Sequence, residues 1–365
     1  MTKRTVLSLG IAAVAAVLAY APIPGLQQTI VVVSGSELEE SLNVLVRRFE
    51  NSHPNIEVRL HTQGSQDIVN RYIDNSNSFT PTVLIPANGD VLTELSSRWQ
   101  AIESTEPFYD DPQAIAKTML VGIAWPERGN ILFPDGEFDW QRLETAMSMG
   151  SWSRLGGDSS WGSFDFVTTD PTRSNSGQLT LSLFAQSAAG DRPLTLDTLN
   201  TSEARDLFQL VRRSVYQPPR STDILLQEFI TRGPNEADVA TVYESIALHR
   251  WEESSLSQGI PYQIYYPNPT IETVSTAAIV TRDVPNGTAR AARTFIQFLS
   301  EPEQQAVFVQ YGFRPATATL ELSDISDSPW SQDIPGVEEE PAIAASQPPS
   351  RQIVGDIQRL WERAQ

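Results

Sequence analysis

The apolar pattern opens with an unbroken run at residues 6–21, behind a short basic head containing Lys3 and Arg4. This is the form of a secretory signal peptide or an N-terminal membrane anchor over residues 1–25, and Ala19-Tyr20-Ala21 fits the small-x-small cleavage rule. The β-branched stretch QTIVVV (28–33) then suits a strand buried on both faces, closed by Ser34-Gly35-Ser36. Over residues 37–50, Leu38, Leu42, Leu45, Val46 and Phe49 fall on one face of a helix. The same unit recurs twice. Strand 56–61 turns through Gly64-Ser65-Gln66 into helix 67–74, and strand 82–86 turns through Ala87-Asn88-Gly89 into helix 90–97. Three such units in a row predict a parallel α/β sheet, whose ligands bind beyond the carboxyl ends of the strands. The turns carrying Ser34, Gly35 and Ser36, then Ser65, then Asn88, are expected along one rim.

The middle of the chain has its own alternation of elements. A strand at 119–125 and a helix at 143–149 precede WGSFDFVTTDPTRSNSG (161–177). This stretch reads as a short strand, a turn at Asp170-Pro171 and a polar knot, Ser174-Asn175-Ser176-Gly177. A helix with Leu179, Leu183 and Phe184 at helical spacing follows. Ser and Asn favour the cap of a helix, and the N–H groups freed at its start make a site for an anion or another acceptor. Helices at 202–215 and 222–231 lead to strand 239–243, which ends in Tyr243-Glu244-Ser245 before a helix at 246–257. A strand returns at 276–281, followed by helices 289–300 and 302–311. The segment 317–347 is acidic and Pro-rich, and 353–363 reads as a closing helix with Ile357, Leu360 and Trp361 available to dock. The expected organisation is a first lobe at 26–120 and 271–315, a second lobe at 121–270 inserted into it, and a tail at 316–365.

Composition narrows the chemistry. A formal net charge of −19 over 365 residues disfavours nucleic acid and anionic lipid as partners. The absence of Cys removes disulfides, thiolate catalysis and Cys-ligated zinc, and three scattered His argue against a His-based metal site, so no cofactor is expected. The D-x-S-x-S spelling at Asp324–Ser328 lacks the following α/β domain that a metal-dependent adhesion site needs. Trp125, Trp161 and Trp251 are candidate ligand platforms, with core packing the commoner use of such residues. A serine hydrolase would need a base beside its nucleophile and a G-x-S-x-G turn, which the surroundings of Ser176 lack.

Three passages resemble the two-lobed bacterial extracellular solute-binding proteins, nearest in organisation to the molybdate/sulfate-binding branch. They are the strand, Ser-Gly-Ser and helix at 31–50, the W-G-x-F-x-F-x-x-T-x-P-x-x-S-N-S-G signature at 161–177, and the stretch 276–315 ending in Tyr311-Gly312-Phe313-Arg314-Pro315. The resemblance implies an α/β protein of type II periplasmic binding fold, with two Rossmann-like lobes joined by a hinge. It further implies a non-enzymatic receptor for a small polar ligand, an oxyanion among the candidates, serving an ABC-type transport system. The implied partner is a membrane permease, and the protein is expected to be exported, either periplasmic or anchored to the outer face of the cytoplasmic membrane by its N-terminal hydrophobic segment. An exported interaction or sensor protein that kept the fold is the alternative. The ligand-binding residues implied or placed on the rim are Ser34, Gly35, Ser36, Ser65, Asn88, Ser174, Asn175, Ser176, Gly177, Tyr243 and Glu244. Glu244 departs from an oxyanion site, since its carboxylate would repel the ligand unless it pairs with Arg173 or meets a cation.

Overall fold

The computed structural model describes residues 27–364 apart from 191, 216, 344, 347 and 348, so the N-terminal signal or anchor expected at 1–25 lies outside the described residues. Strand β1 (Gln28–Ser34) lies between β2 (Ile56–Thr62) and β3 (Val83–Ile85), and all three run parallel. Helices α1 (Glu39–Ser52), α2 (Ser65–Ile73) and α3 (Gly89–Gln100) follow the three strands in turn. In register, Ser34 sits beside both Thr62 and Ile85, so the three strands end at one edge. The turns beyond them are tied together. Gly35 N donates to Ile85 O (3.0 Å), Gln63 N to Ser34 O (2.9 Å), and Ala87 N to Ser65 Oγ (3.1 Å).

Strand β4 (Gln113–Ala124) leaves this lobe for a second one. Its elements are α4 (Pro126–Leu132), α5 (Trp140–Met149), β5 (Phe166–Val167), α6 (Asn175–Ala189), α7 (Ser202–Ser214), α8 (Thr222–Arg232), β6 (Val239–Tyr243), α9 (Glu244–His249), α10 (Trp251–Gln258) and β7 (Gln263–Tyr265). Strand β8 (Thr270–Ile279) brings the chain back, and α11 (Asn286–Leu299), α12 (Pro302–Gln310) and β9 (Arg314–Pro315) complete the first lobe. A tail follows, with β10 (Ala345–Ser346) beside β8 and a closing helix α13 (Arg351–Arg363). Buried apolar residues form two clusters. One includes Val32, Leu42, Leu84, Phe295 and Phe308; the other includes Trp125, Phe166, Phe184, Phe229 and Tyr262.

The two long strands carry the passage between the clusters. The first half of β4 pairs antiparallel with β8, ending at Met119 opposite Glu272, and from Leu120 onward β4 pairs with β6 and β7 instead. Both strands are longer than the apolar pattern indicates. The expected 119–125 is the end of Gln113–Ala124, and the expected 276–281 is the end of Thr270–Ile279. The unrecognised parts pair with each other and carry Lys117 and Glu272, which face one another at 3.9 Å. Thr118, Thr270, Thr273 and Ser275 of this ribbon are buried although polar, so the apolar pattern misses their burial. Helix 37–50 likewise begins as a 3-10 turn, Ser36–Leu38, and the expected helix 246–257 is two helices broken at Arg250.

Candidate ligand site between the lobes

The lobes touch across the rims predicted to face each other. Gly64, in the turn after β2, lies against the backbone of Arg173, whose carbonyl oxygen would be only 2.6 Å from any Cβ added there. Glycine is required at this point for space, because its φ of −62° suits any residue. Asp67 accepts from Arg173 across the gap at 2.7 Å, and Glu40 binds His249 (2.8 Å) and Arg250 (3.3 Å) of the second lobe. Two cavities open between the lobes. One, about 200 Å³, is bounded by Gln66 and Asn88 on one side and Asn175 and Gln178 on the other, with Arg351 and Val354 of the tail at its edge. The other, about 260 Å³, lies between Ser36, Glu37 and Glu40 of the first lobe and Asp223, Ser245 and Arg250 of the second.

Each rim residue has a definite place. Ser34 is fully buried and its Oγ has no hydrogen-bond partner. Gly35 lies under the curled side chain of Glu37, whose Oε1 would be 2.1 Å from a Cβ on Gly35, and Ser36 borders the larger cavity. Ser65 Oγ accepts from Ala87 N, which leaves its O–H able to donate, and Asn88 caps α3 by accepting from Asp90 N at 3.0 Å while still lining the smaller cavity. Asn175 Nδ2 donates to the Tyr243 hydroxyl (3.0 Å), joining the start of α6 to the end of β6. Burial raises the Tyr243 pKa well above the ordinary phenol value, and the nearby Glu37 adds to the rise.

Two groups expected at the ligand are engaged elsewhere. Ser176 is fully buried in a hydroxyl cluster, with Thr222 Oγ1 at 2.7 Å, Thr169 Oγ1 at 2.8 Å and Ser174 Oγ at 3.1 Å. Gly177 allows the helix start to press on Thr169, whose carbonyl oxygen would sit 2.4 Å from an added Cβ. The Glu244 carboxylate pairs with neither Arg173 nor a guest. Arg314 donates to both its oxygens at 2.8 Å and the Tyr266 hydroxyl donates to Oε1 at 2.6 Å, with no exposure of the Glu244 side chain. The charge that looked exceptional is therefore neutralised by the arginine of the Tyr-Gly-Phe-Arg-Pro stretch. The tryptophans also pack. Trp125 stacks on Phe229 at 4.9 Å, Trp161 lies under the Arg128 guanidinium at 3.9 Å, and Trp251 donates to Tyr262 O.

Glu37 was not singled out by pattern, which placed it merely among the acidic residues of a helix start. Its Oε1 is sealed from solvent without a partner, as is the Oγ of Ser245 on the facing lobe. Burial is the main cause that pushes the Glu37 carboxyl up to about 7; its own backbone N–H opposes the rise and Asp223 adds to it. The usable sequence signal was the glycine two positions earlier, over which the acid folds.

A family model of bacterial extracellular solute-binding proteins matches residues 30–314. The chain belongs to that family. No curated protein sequence matches it. In structure this solute-binding protein is similar to a periplasmic thiamin-binding protein, with a TM-score of 0.64 at 14% identity over 94% of this chain and 98% of that one. It is also similar to a ferric-binding protein from Campylobacter jejuni (TM-score 0.60, 15% identity, 92% and 99% covered). A sulfate-binding protein from Mycobacterium tuberculosis is a third (0.55, 17%, 80% and 88%). These likenesses establish the mixed α/β, two-lobed type II fold. Among the described residues no helix is long and apolar enough to cross a membrane, and no group of three His, Asp or Glu could hold a metal ion.

Proposed function

We propose that the protein is the extracytoplasmic receptor of an ABC-type transport system, holding a small polar solute between its lobes for delivery to a membrane permease. The observation that supports this most is the set of polar atoms sealed at or near the meeting of the lobes without protein partners: Ser34 Oγ, Glu37 Oε1, Ser245 Oγ and Gln178 Nε2. A buried polar group left unpaired costs about 1–3 kcal/mol, so several in one region favour a guest that completes them. Ser34, Ser36, Ser65, Asn88, Asn175 and Tyr243 are the proposed walls of the site, drawn from strand ends of both lobes. Ser174, Ser176 and Gly177 hold the second lobe in shape behind it, and Glu244 ties that lobe to Arg314 of the first.

Binding without catalysis is supported by the surroundings of Ser176, whose hydroxyl bonds to those of Thr169, Ser174 and Thr222, none of them a base that could activate a nucleophile. The type II fold supplies a hinge motion in the strand pair β4–β8, so that solute capture and lobe closure become one event. The test is X-ray scattering of the full chain with and without a solute selected by thermal shift. A stabilising solute should reduce the radius of gyration. A solute that stabilises the protein without compaction would place its site outside the gap.

A further inference from the structure

The larger cavity between the lobes has a marked charge character. Four acidic residues line it, Glu37, Glu39 and Glu40 from the first lobe and Asp223 from the second. Against them stand Arg250 and His249, with Tyr311 as the remaining titratable neighbour. Arg250 is already committed, to Asp223 at 2.8 Å, Glu253 at 2.8 Å and Glu40 at 3.3 Å, and His249 is held by Glu40 at 2.8 Å. No ion pair engages Glu37 among the described residues, and its Oε1 accepts no hydrogen bond. Across the cavity Ser245 is fully buried and its hydroxyl is without a partner, although its backbone N–H is satisfied by Thr118 Oγ1 at 3.0 Å. The ionised Glu37 carboxylate only accepts, so a guest that satisfies it has to donate a hydrogen bond; the Ser245 hydroxyl can accept a second, and a positive charge offsets the local excess of carboxylates. An oxyanion would bring acceptors to an acceptor and charge to like charge.

The absence of any three-residue cluster of metal-ligating side chains among the described residues argues against a bare metal ion as this guest. At about 260 Å³ the space lies below the range of roughly 300–1,000 Å³ usual for drug-sized ligands, so the guest is small. We infer that this cavity takes a small organic cation, whose ammonium or amidinium N–H groups donate to the Glu37 carboxylate and the Ser245 hydroxyl. This assignment rests on the proposed reading of the gap as the solute site and adds its ligand class and its charge-selecting residue.

The raised Glu37 carboxyl gives the assignment a pH signature. Its proton competes with a cation, so affinity should fall by up to tenfold per unit as pH drops below about 7, and level off above it. Near neutrality, binding should release a fraction of a proton, readable by calorimetry in two buffers of different ionisation enthalpy.

The experiment uses the full chain at pH 8 and a thermal-shift panel of three classes: putrescine, agmatine and thiamin; sulfate and molybdate; glucose and maltose. At least one cation should raise the melting temperature, with Glu37→Gln losing tenfold or more in affinity together with the proton release, and with Ser245→Ala weakening the same cation. Stabilisation by oxyanions or sugars alone overturns the cation assignment and leaves the solute-binding reading standing. Equal cation affinity in the wild type and Glu37→Gln also overturns it. A panel in which no class stabilises the protein counts against both. Melting of Glu37→Gln without ligand checks that the variant is folded.

Discussion

At the scale of single residues, the most instructive contrast is between Glu244 and Glu37. Both are acids just beyond a strand end, and the sequence drew attention to the first. Glu244 is matched by Arg314, which lies 70 positions away and could be assigned to it only by the fold. Breaking a buried ion pair by removing one partner leaves an uncompensated charge, so Glu244→Ala should cost about 3–5 kcal/mol in urea unfolding. Because both carboxylate oxygens point to Arg314 and Tyr266, ligand preference among folded molecules should stay unchanged. Glu37 went unnoticed for the opposite reason. An acid in the first turn of a helix is ordinary, and only the approach of its carboxylate over Gly35 seals its Oε1 from water.

Among elements, the strand–turn–helix units of the first lobe were legible because β1 and β3 are apolar runs, β2 alternates Ile56, Val58 and Leu60 with polar residues, and each helix has a clear stripe. β6 was read at its true bounds, 239–243, since every residue of it is buried. The hinge strands were half read, because charged Lys117 and Glu272 interrupt them and the buried positions beside them are polar, Thr118, Thr273 and Ser275. The tail was the element least open to pattern. Its closing helix docks through Ile357 and Trp361 as expected, but the Pro-rich, acidic stretch before it gave no sign that Leu322, Trp330 and Ile334 join the core of the second lobe as well. Trp361 is 3% exposed and carries the Arg212 guanidinium over its ring at 4.6 Å. Trp361→Ala should therefore lower stability by about 3–5 kcal/mol, the usual cost of emptying a large aromatic site. Chemical denaturation would check this, and a loss under 1 kcal/mol would show that α13 is merely laid on the surface.

For the molecule as a whole, closure depends on how near the two rims can come. Gly64 sets that limit, since a side chain there meets the Arg173 carbonyl of the other lobe. Gly64→Val should relieve the clash by opening the hinge rather than by unfolding either core. The expected result is a larger radius of gyration and at least tenfold weaker solute binding, at nearly unchanged melting temperature. A compact variant with wild-type affinity would remove this contact from the closing motion. The contacts at the rim of the gap, Asp67 with Arg173 and Glu40 with His249 and Arg250, are partly exposed and therefore modest in strength, about 0–1 kcal/mol each, unlike the buried Glu244–Arg314 pair that also joins the lobes. They align the lobes more than they hold them shut.

The attachment of the tail has a practical consequence. Every buried apolar residue beyond 315, among those described, belongs to one lobe, so α13 must swing with that lobe as a rigid passenger. The natural sequence contains no cysteine. A dye on an engineered thiol in α13 and a second on the exposed side of α1 would thus report the hinge angle of single molecules directly, with no native thiol to mislabel.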